Sequence, residues 1–525
     1  MMTSHKARIL ALLASSVLLT TSCEKNLLDQ PSPNLPDTTT FWKTENDALR
    51  GLTAAYSGLQ LNGTYRRWIH FVYDIRSDEG FSSSPWPELQ NITKTVLADY
   101  NFVVNAEVWT QHYQAINRTN QVLANVPNAQ ISNAQLKTRI LAEAHFLRAL
   151  NYFNLVMLYG RVPLATQPST ADYRPPQAAS EQEVWAFIIQ DLEIAKRDLP
   201  VRYDAAGDLG RATKGAATAL LGKVYMQNRQ WQQASTQFQE VIGSGVYSLV
   251  PNYRDNFRHD RENNAESIFE VQFSEQFTAD REDDFNGASE ASQRGQFFGL
   301  PGKGWTDGEA RPWLINEFLQ ERTADGKKDP RLAATVFFNR NRPGYPKDLT
   351  DPVDQDSLAY DNISLAQRFP RDAFNRGRVY WRKYENDYWK NEEGYYSPIN
   401  HRVIRYADVL LMQAEALNEL GQTGEAIVLI NQVRQRPSVN LRPLTSMSQE
   451  ALRMQIMHER VTELAGENTR WHDLRRWGLL SSQTGIDQLK ARDADFEKFE
   501  VWQIYLPIPR NDVDIAKLVQ NPGWQ

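Results

Sequence analysis

The spacing of apolar residues along the chain is mainly helical. In residues 44–59 apolar side chains recur every three or four positions, which places them on one face of a helix. Thr44 and Asp47 form a capping pair that predicts where this helix begins. The same periodicity predicts helices at 107–126, 134–159, 181–197, 213–227, 231–243, 309–321, 401–420, 423–435, 447–465 and 470–477.

Two long stretches lack this periodicity. Residues 62–106 are rich in Asn, Ser, Pro and aromatic side chains, and residues 245–400 are similar apart from the helix near 309–321. Strand-like alternation is scarce, and the segment 267–273 is the clearest candidate for a short strand. The pattern therefore predicts a mainly α protein in which a helical scaffold alternates with large irregular segments.

The helices near the middle of the chain carry a degenerate tetratricopeptide pattern. Leu221, Gly222, Tyr225, Ala234 and Phe238 follow its spacing. In such a helix pair the small residues let the helices approach closely, and the large residues fill the groove between them. We interpret the pattern as scaffold; the alternative is that the repeat groove itself binds a peptide.

The first residues of the chain predict export. Positively charged residues precede an apolar run at 9–19, which is too short to span a bilayer. Small residues then lead into Cys23, the single cysteine of the chain, as in a bacterial lipoprotein whose cysteine is acylated. We predict a signal peptide at 1–22, lipidation of Cys23 and a tether at 23–36. An ordinary cleaved signal is the alternative.

Composition excludes several classes of function. A net charge of −6 over 525 residues offers no basic surface for nucleic acid. One thiol cannot build a disulfide framework or a zinc cluster, and His458-Glu459 lacks the second histidine that a zinc-protease helix needs. Nucleotide-binding and nucleophile-elbow patterns are also missing from the sequence. We therefore expect no metal, cofactor or catalytic residue, although a carboxylate pair cannot be read from spacing alone.

Aromatic residues in the irregular segments are the positive functional signal. The apolar face of a sugar ring stacks on Trp or Tyr, and covering ~100 Å² contributes about 2.5 kcal/mol before ordering costs. Trp86 lies between two prolines, which stiffen its presentation, and Trp305 follows a glycine-rich turn. The further candidates are Trp68, Tyr65, Phe297, Phe298 and Trp389 as aromatic platforms, with Asp78 and Asn91 as polar ligand contacts.

Six blocks of the chain resemble the SusD/RagB family of nutrient-binding lipoproteins. The resemblance implies one mostly helical body, with four tetratricopeptide-like helix pairs and a large irregular, loop-rich ligand-binding part. It divides the chain into an N-terminal SusD-like region at 37–245 and a C-terminal SusD/RagB region at 246–525, packed together. The six blocks are 41–59, 142–164, 210–226, 403–421, 459–478 and 505–524.

The same resemblance implies a function without catalysis. Members of the family are lipidated on the outer membrane, face the cell exterior and pair with a SusC-like TonB-dependent transporter. We therefore expect this chain to capture an oligosaccharide or polysaccharide for such a transporter and to meet the membrane through its lipid alone. A peptide ligand, as in RagB-like members, is the first alternative, and a surface glycoside hydrolase is a more distant one.

Overall fold

The computed structural model describes residues 41–275, 290–355 and 358–524, and Cys23 with its signal and tether lies outside these ranges. The described architecture is mainly helical, which confirms the predicted fold class. None of the described helices combines the length and the apolar run needed to cross a bilayer. The longer helices are α1 (Glu45–Tyr56), α2 (Pro87–Thr93), α3 (Val103–Asn125), α4 (Ala134–Tyr159), α5 (Glu181–Asp198), α6 (Lys214–Gln227), α7 (Trp231–Gly243), α8 (Tyr406–Glu419), α9 (Thr423–Arg434), α10 (Gln449–Leu464), α11 (Arg470–Arg476), α12 (Gln483–Arg492) and α13 (Arg510–Ala516).

Short strands join distant parts of the described chain into two-stranded antiparallel ribbons. They pair as β1 (Gly80–Phe81) with β3 (Glu309–Ala310), β2 (Ser267–Val271) with β6 (His401–Arg405), and β4 (Val336–Phe338) with β5 (Val379–Trp381). Short helical turns occupy much of the remaining irregular part: Asn62–Arg66, Trp68–His70, Phe71–Ile75, Arg294–Phe298, Trp313–Phe318, Arg331–Thr335, Pro352–Gln355, Leu365–Arg368 and Ala373–Gly377.

The helices from α3 to α10 form the scaffold. Successive helices pack on each other from α3 to α7, α7 then packs on α8, and α8 packs on both α9 and α10. Gly222 in α6 shows why the repeat pattern needs a small residue. A Cβ atom there would lie 2.4 Å from the ring of Phe238 in α7, so a larger residue would push the two helices apart.

The structure corrects three of the predicted elements. The predicted helix at 401–420 is strand β6 followed by α8, because residues 401–405 pair with β2. The predicted helix at 309–321 is strand β3 followed by the helical turn Trp313–Phe318. The stretch 62–106 contains α2 and several helical turns, and these elements are too short, at three to seven residues, for apolar periodicity to show them.

Buried ion pairs hold the irregular half against the scaffold. Glu463 at the end of α10 accepts hydrogen bonds from Arg405 at 2.8 Å, Arg436 at 2.8 Å and Arg331 at 3.0 Å. Burial on its own would raise the pKa of Glu463, but the guanidinium groups of Arg436, Arg405 and Arg331 lower it below its ordinary value. Glu463 is therefore a charged hub that ties α10 to strand β6, to the helical turn Arg331–Thr335 and to the segment after α9.

Two further carboxylates extend this hub. Glu266, which precedes β2, contacts Arg405 at 2.8 Å and Arg436 at 2.6 Å. Glu467 contacts Arg405 at 2.7 Å and Lys383 at 2.8 Å. Each buried carboxylate has at least two cationic partners, so the desolvation of the charges is offset by several hydrogen bonds.

Replacing the hub carboxylate tests its structural role. Glu463→Gln removes the negative charge that three buried guanidinium groups share. We therefore expect the free energy of unfolding to fall by about 3–5 kcal/mol. Urea denaturation followed by circular dichroism measures this, with the exposed Glu425→Gln as the matched control. Equal urea midpoints for the two variants would contradict a stabilising hub.

A buried histidine in the scaffold predicts a pH-dependent contribution to stability. Burial lowers the pKa of His112 in α3 to about 4. The pKa of an exposed histidine is about 6.5. The unfolded chain binds the proton first, so this contribution is complete above about pH 6.5 and declines as pH falls towards the folded pKa. Between pH 7 and 4.5 we expect the parent to lose about 2 kcal/mol more stability than His112→Leu. Urea denaturation at both pH values measures the difference, and equal losses would show that His112 does not titrate this way.

Candidate functional site

A chain of ring contacts joins the two leading candidates, Trp86 and Trp305. We call it the aromatic row, and it contains Trp86, Trp68, Phe297, Trp305 and Tyr395. The ring centroids are 6.0 Å apart from Trp86 to Trp68, 5.5 Å from Trp68 to Phe297, 5.0 Å from Phe297 to Trp305 and 5.5 Å from Trp305 to Tyr395. Residues far apart in the sequence therefore form one continuous row of ring contacts, in which the inner rings are buried and the outer rings reach solvent.

Trp305 is the most exposed member of the aromatic row, with 44% of its surface open to solvent. Its ring stands edge-on to Phe297 at 79° and to Tyr395 at 85°. Its backbone N–H donates to the carbonyl of Gln296 at 2.7 Å, and the Thr306 hydroxyl donates to the carbonyl of Gly299 at 2.7 Å. The Trp305 loop is thus folded back onto the helical turn that carries Phe297, and the ring is held in one orientation.

Trp86 lies at the other end of the aromatic row and is half-buried. It directly precedes α2, whose first residue is Pro87, and its backbone N–H donates to the Ser84 hydroxyl at 3.2 Å. Its ring contacts Phe102 at 5.2 Å as well as Trp68. Asn91 lies one turn further along α2 and is also half-buried, so it remains a proposed polar contact beside this end of the row.

Arg67 and Trp68 form the base of the aromatic row. The guanidinium carbon of Arg67 lies 4.7 Å from the Trp68 ring centroid and 4.6 Å from that of Phe297. The Trp68 indole donates to Glu107 at 2.7 Å, which satisfies its polar atom inside the protein. These contacts fix the buried rings on which the exposed ones rest.

Five of the predicted ligand residues lie inside the protein and present no face to solvent. Tyr65, Trp68, Phe297, Phe298 and Asp78 are each less than 5% exposed. Trp68 and Phe297 still support the aromatic row, but Tyr65 and Phe298 lie in the core as packing residues. The sequence interpretation overestimated their exposure because aromatic residues in an irregular segment resemble surface loops even when the segment is buried.

Asp78 is a structural residue and not a ligand contact. Its carboxylate binds Arg470 through two bonds of 2.6 and 2.7 Å and Arg492 through one of 2.9 Å. Burial alone would raise the pKa of Asp78, but the Arg470 and Arg492 guanidinium groups lower it below its ordinary value. Both oxygens are therefore committed to α11 and α12.

Trp389 is exposed at 37% and belongs to a separate group of side chains. Its ring lies 4.2 Å from the His259 ring and 4.1 Å from the Lys390 ammonium, and its indole donates to Asn386 at 3.0 Å. It shares the loop at 386–396 with Tyr395, the member of the aromatic row that sequence analysis missed. Tyr395 gave no signal of its own, since its role depends on a contact with Trp305 across the fold.

One cluster of described residues brings metal-type ligand atoms within 4.8 Å of one another: Glu321, His458 and Glu459. Arg434 already pairs with both carboxylates, at 2.7 Å from Glu321 and through a hydrogen bond to Glu459. The His458 ring contacts Glu317 at 2.9 Å. Because Arg434 supplies the positive charge that a cation would bring, we assign the cluster a structural role.

Comparison with known families decides the classification of the chain. The model of the SusD family matches residues 265–524, and a model described as starch-binding and associating with the outer membrane matches residues 43–226. The chain belongs to the SusD/RagB family. Together the two matches cover every residue of the aromatic row and all of the scaffold helices except α7.

Curated relatives and solved structures match most of this SusD-like chain. A SusD-like protein of Formosa agariphila is 28% identical over 522 residues, which is 94% of each chain. The starch-binding protein SusD of Bacteroides thetaiotaomicron is 23% identical over 412 residues, 73% of this chain and 72% of that one. A SusD superfamily protein of Bacteroides vulgatus superposes with a TM-score of 0.77 at 27% identity, covering 92% of this chain and 100% of that one. A laminarin-binding SusD-like protein gives a TM-score of 0.72 at 26% identity with the same coverage.

The buried position of Trp68 predicts that its main effect is on stability. We expect Trp68→Ala to lower the free energy of unfolding of this SusD-like protein by about 3–5 kcal/mol. The substitution removes a buried ring and leaves a cavity beside the rings that packed against it. The exposed Trp389→Ala is the matched control, with an expected change of about 1 kcal/mol or less. Urea denaturation measures both, and a Trp68→Ala variant as stable as the control would show that the row has no rigid base.

Proposed function

We propose that this protein is a glycan-binding receptor subunit on the outer membrane surface. It captures an oligosaccharide or polysaccharide through the exposed end of the aromatic row and releases it unchanged to a SusC-like TonB-dependent transporter. The observation that carries the proposal is the exposed Trp305 ring, supported edge-on by Phe297 and Tyr395.

The geometry of Trp305 suits a sugar ring. An aromatic face presents an apolar plane to the axial C–H groups of a pyranose, and the polar hydroxyls at the ring edge remain available for hydrogen bonds. The Trp305 backbone is fixed by its bond to Gln296, and the ring packs edge-on against Phe297 and Tyr395, so little conformational entropy is lost on binding. Trp86 and Trp389, which also reach solvent, extend the surface available to a longer chain of sugars.

The expected strength of binding follows from the area of these platforms. Each platform of ~100 Å² contributes about 2.5 kcal/mol before ordering costs, so two or three of them give Kd values of about millimolar to micromolar. A receptor that hands its ligand to a transporter needs binding that is reversible on the timescale of uptake. An affinity in this range suits that task.

The relatives support a carbohydrate ligand in preference to a peptide. Starch and laminarin are named as ligands of two of them, and both are glucose polymers. Another solved relative of similar fold is a surface glycan-binding protein of Bacteroides fluxus. These proteins are binding proteins, and we accordingly propose capture without turnover for this chain. The proposal also includes a lipid on Cys23 as the membrane anchor and a SusC-like transporter as the partner.

Removing the Trp305 ring tests the proposed function. Laminarin, soluble starch and a panel of other soluble glycans are first screened by affinity gel electrophoresis, and binding of the best glycan is then measured by isothermal titration calorimetry. We expect Trp305→Ala to weaken that binding by about thirtyfold, which corresponds to about 2 kcal/mol of lost stacking.

Trp231→Ala is the matched control, because Trp231 lies at the start of α7 in the scaffold and is half-buried. The control is expected to bind like the parent. If the parent binds peptides and no glycan, the RagB-like alternative replaces the proposal. Cleavage of a glycan by the parent, detected by chromatography of the products, would refute a function limited to binding.

A further inference from the structure

We infer that Glu393 is a positioning residue of the ligand surface, one buried carboxylate that holds both loops carrying the exposed aromatic rings. The inference rests on the proposed function and deepens it, since it concerns how the same surface is held in shape. The two loops are residues 294–307, which carry Trp305, and residues 386–396, which carry Trp389 and Tyr395.

Glu393 is fully buried and makes hydrogen bonds to several elements. One carboxylate oxygen accepts from the Tyr360 hydroxyl and from the backbone N–H of Asn386 at 2.9 Å. The other oxygen accepts from the Asn386 side-chain amide at 2.5 Å, and the backbone N–H of Glu393 donates to the carbonyl of Lys303 at 3.0 Å. The residue therefore bonds its own loop and the Trp305 loop at the same time.

The Trp305 loop is shaped around this carboxylate. A Cβ at Gly295 would lie 2.1 Å from a Glu393 carboxylate oxygen, and one at Gly299 would lie 2.8 Å from its Cγ atom. The neighbouring Gly394 donates its N–H to the Gln296 side chain at 2.8 Å. Two glycines thus leave the space that Glu393 fills, and the two loops interlock at this point.

Asn386 transmits the position of Glu393 to Trp389. Its side-chain oxygen accepts from the Trp389 indole at 3.0 Å and from the Ser397 hydroxyl at 3.2 Å, while its amide group donates to Glu393. The backbone of Ser397 in turn pairs with Ser292 just before the Trp305 loop. Glu393 acts on the exposed rings through these contacts and does not touch the ligand itself.

A second buried carboxyl group, that of Glu385, lies close to Glu393, and the Tyr360 hydroxyl contacts both of them. Burial and the nearby charge of Glu393 raise the pKa of Glu385 well above its ordinary value. As pH rises through that pKa, Glu385 loses its proton and the two negative charges repel each other.

The other charged and titratable groups around this pair come from several segments. Arg294 favours the charged form of Glu385 and itself contacts Asp74 at 3.1 Å. Asp387 disfavours the charged form of Glu385, and its own carboxylate is paired with Arg254 and Arg382. The Tyr360 hydroxyl lies between the two carboxyl groups, 3.3 Å from Glu385. The Lys303 ammonium, 5.7 Å from the Tyr360 ring, is paired with Asp361 at 2.8 Å.

Hydrogen–deuterium exchange tests the positioning role without a ligand. In Glu393→Gln the NH2 of the new amide faces an Asn386 N–H in either orientation, since the Asn386 side chain donates to one carboxylate oxygen and its backbone to the other. We therefore expect at least tenfold faster exchange in peptides covering both loops. The exposed neighbour Glu392→Gln is the matched control and should exchange like the parent. Faster exchange confined to the 386–396 loop, or no change in either loop, would overturn the inference.

The pH profile of glycan binding provides the second readout. Binding of the best glycan from the screen should weaken at least threefold as the pH is raised through the pKa of Glu385, because the two ionised carboxylates then repel each other. In Glu385→Gln this side chain is uncharged at every pH, so the profile of the variant should be flat over the same range. A parent profile as flat as that of Glu385→Gln would overturn the inference.

The two proposals fail in distinguishable ways. If the parent binds no glycan, the proposed function fails while the exchange experiment still decides the role of Glu393. If the parent binds glycan and Glu393→Gln matches it in both affinity and exchange, the positioning inference fails while the function stands. If Glu393→Gln does not fold, the Glu385→Gln profile decides.

Discussion

The buried ion network around Glu463 is the constraint on which the irregular half of the protein depends. That half has few backbone ladders of its own, since its strands form short two-stranded ribbons. The guanidinium groups of Arg405, Arg436 and Arg331 instead attach β6, the segment after α9 and the turn Arg331–Thr335 to the end of α10 through directed bonds. Charged groups suit this task because a buried carboxylate tolerates only a few positions for its partners, whereas apolar packing tolerates many. The network therefore specifies the geometry of segments that have little regular secondary structure.

The aromatic row shows what this fixed geometry achieves. Its inner rings, Trp68 and Phe297, are packed like core residues, while Trp305 stands on them with almost half of its surface open. A ring supported from below loses little freedom when a ligand stacks on it, so most of the stacking energy remains available for binding. The same construction on mobile loops would spend that energy on ordering the loops.

The sequence predicts the scaffold well and the candidate site only in part. The helices at 134–159 and 231–243 match the structure at both ends. In the second, the apolar spacing records the face that packs on its neighbours, whereas in the first residues 146–159 are buried on every side. Exposure within an irregular segment leaves no such record: Trp68 and Trp305 were both predicted to be aromatic platforms, yet one is buried and the other is open. Tyr395 and Glu393 owe their roles to contacts across the fold, which no spacing along the chain encodes.

The ribbons have a consequence for how the polypeptide reaches its final shape. Gly80 pairs with Ala310 and Val271 pairs with His401, so each ribbon closes a very long stretch of intervening chain. Such closures are entropically costly and slow compared with helix formation. The helices near the N-terminus have local contacts and can form soon after synthesis. The ribbons of the irregular half can form only after their more C-terminal strands have been synthesised. Maturation is therefore expected to proceed in two stages, with the ligand surface completed last.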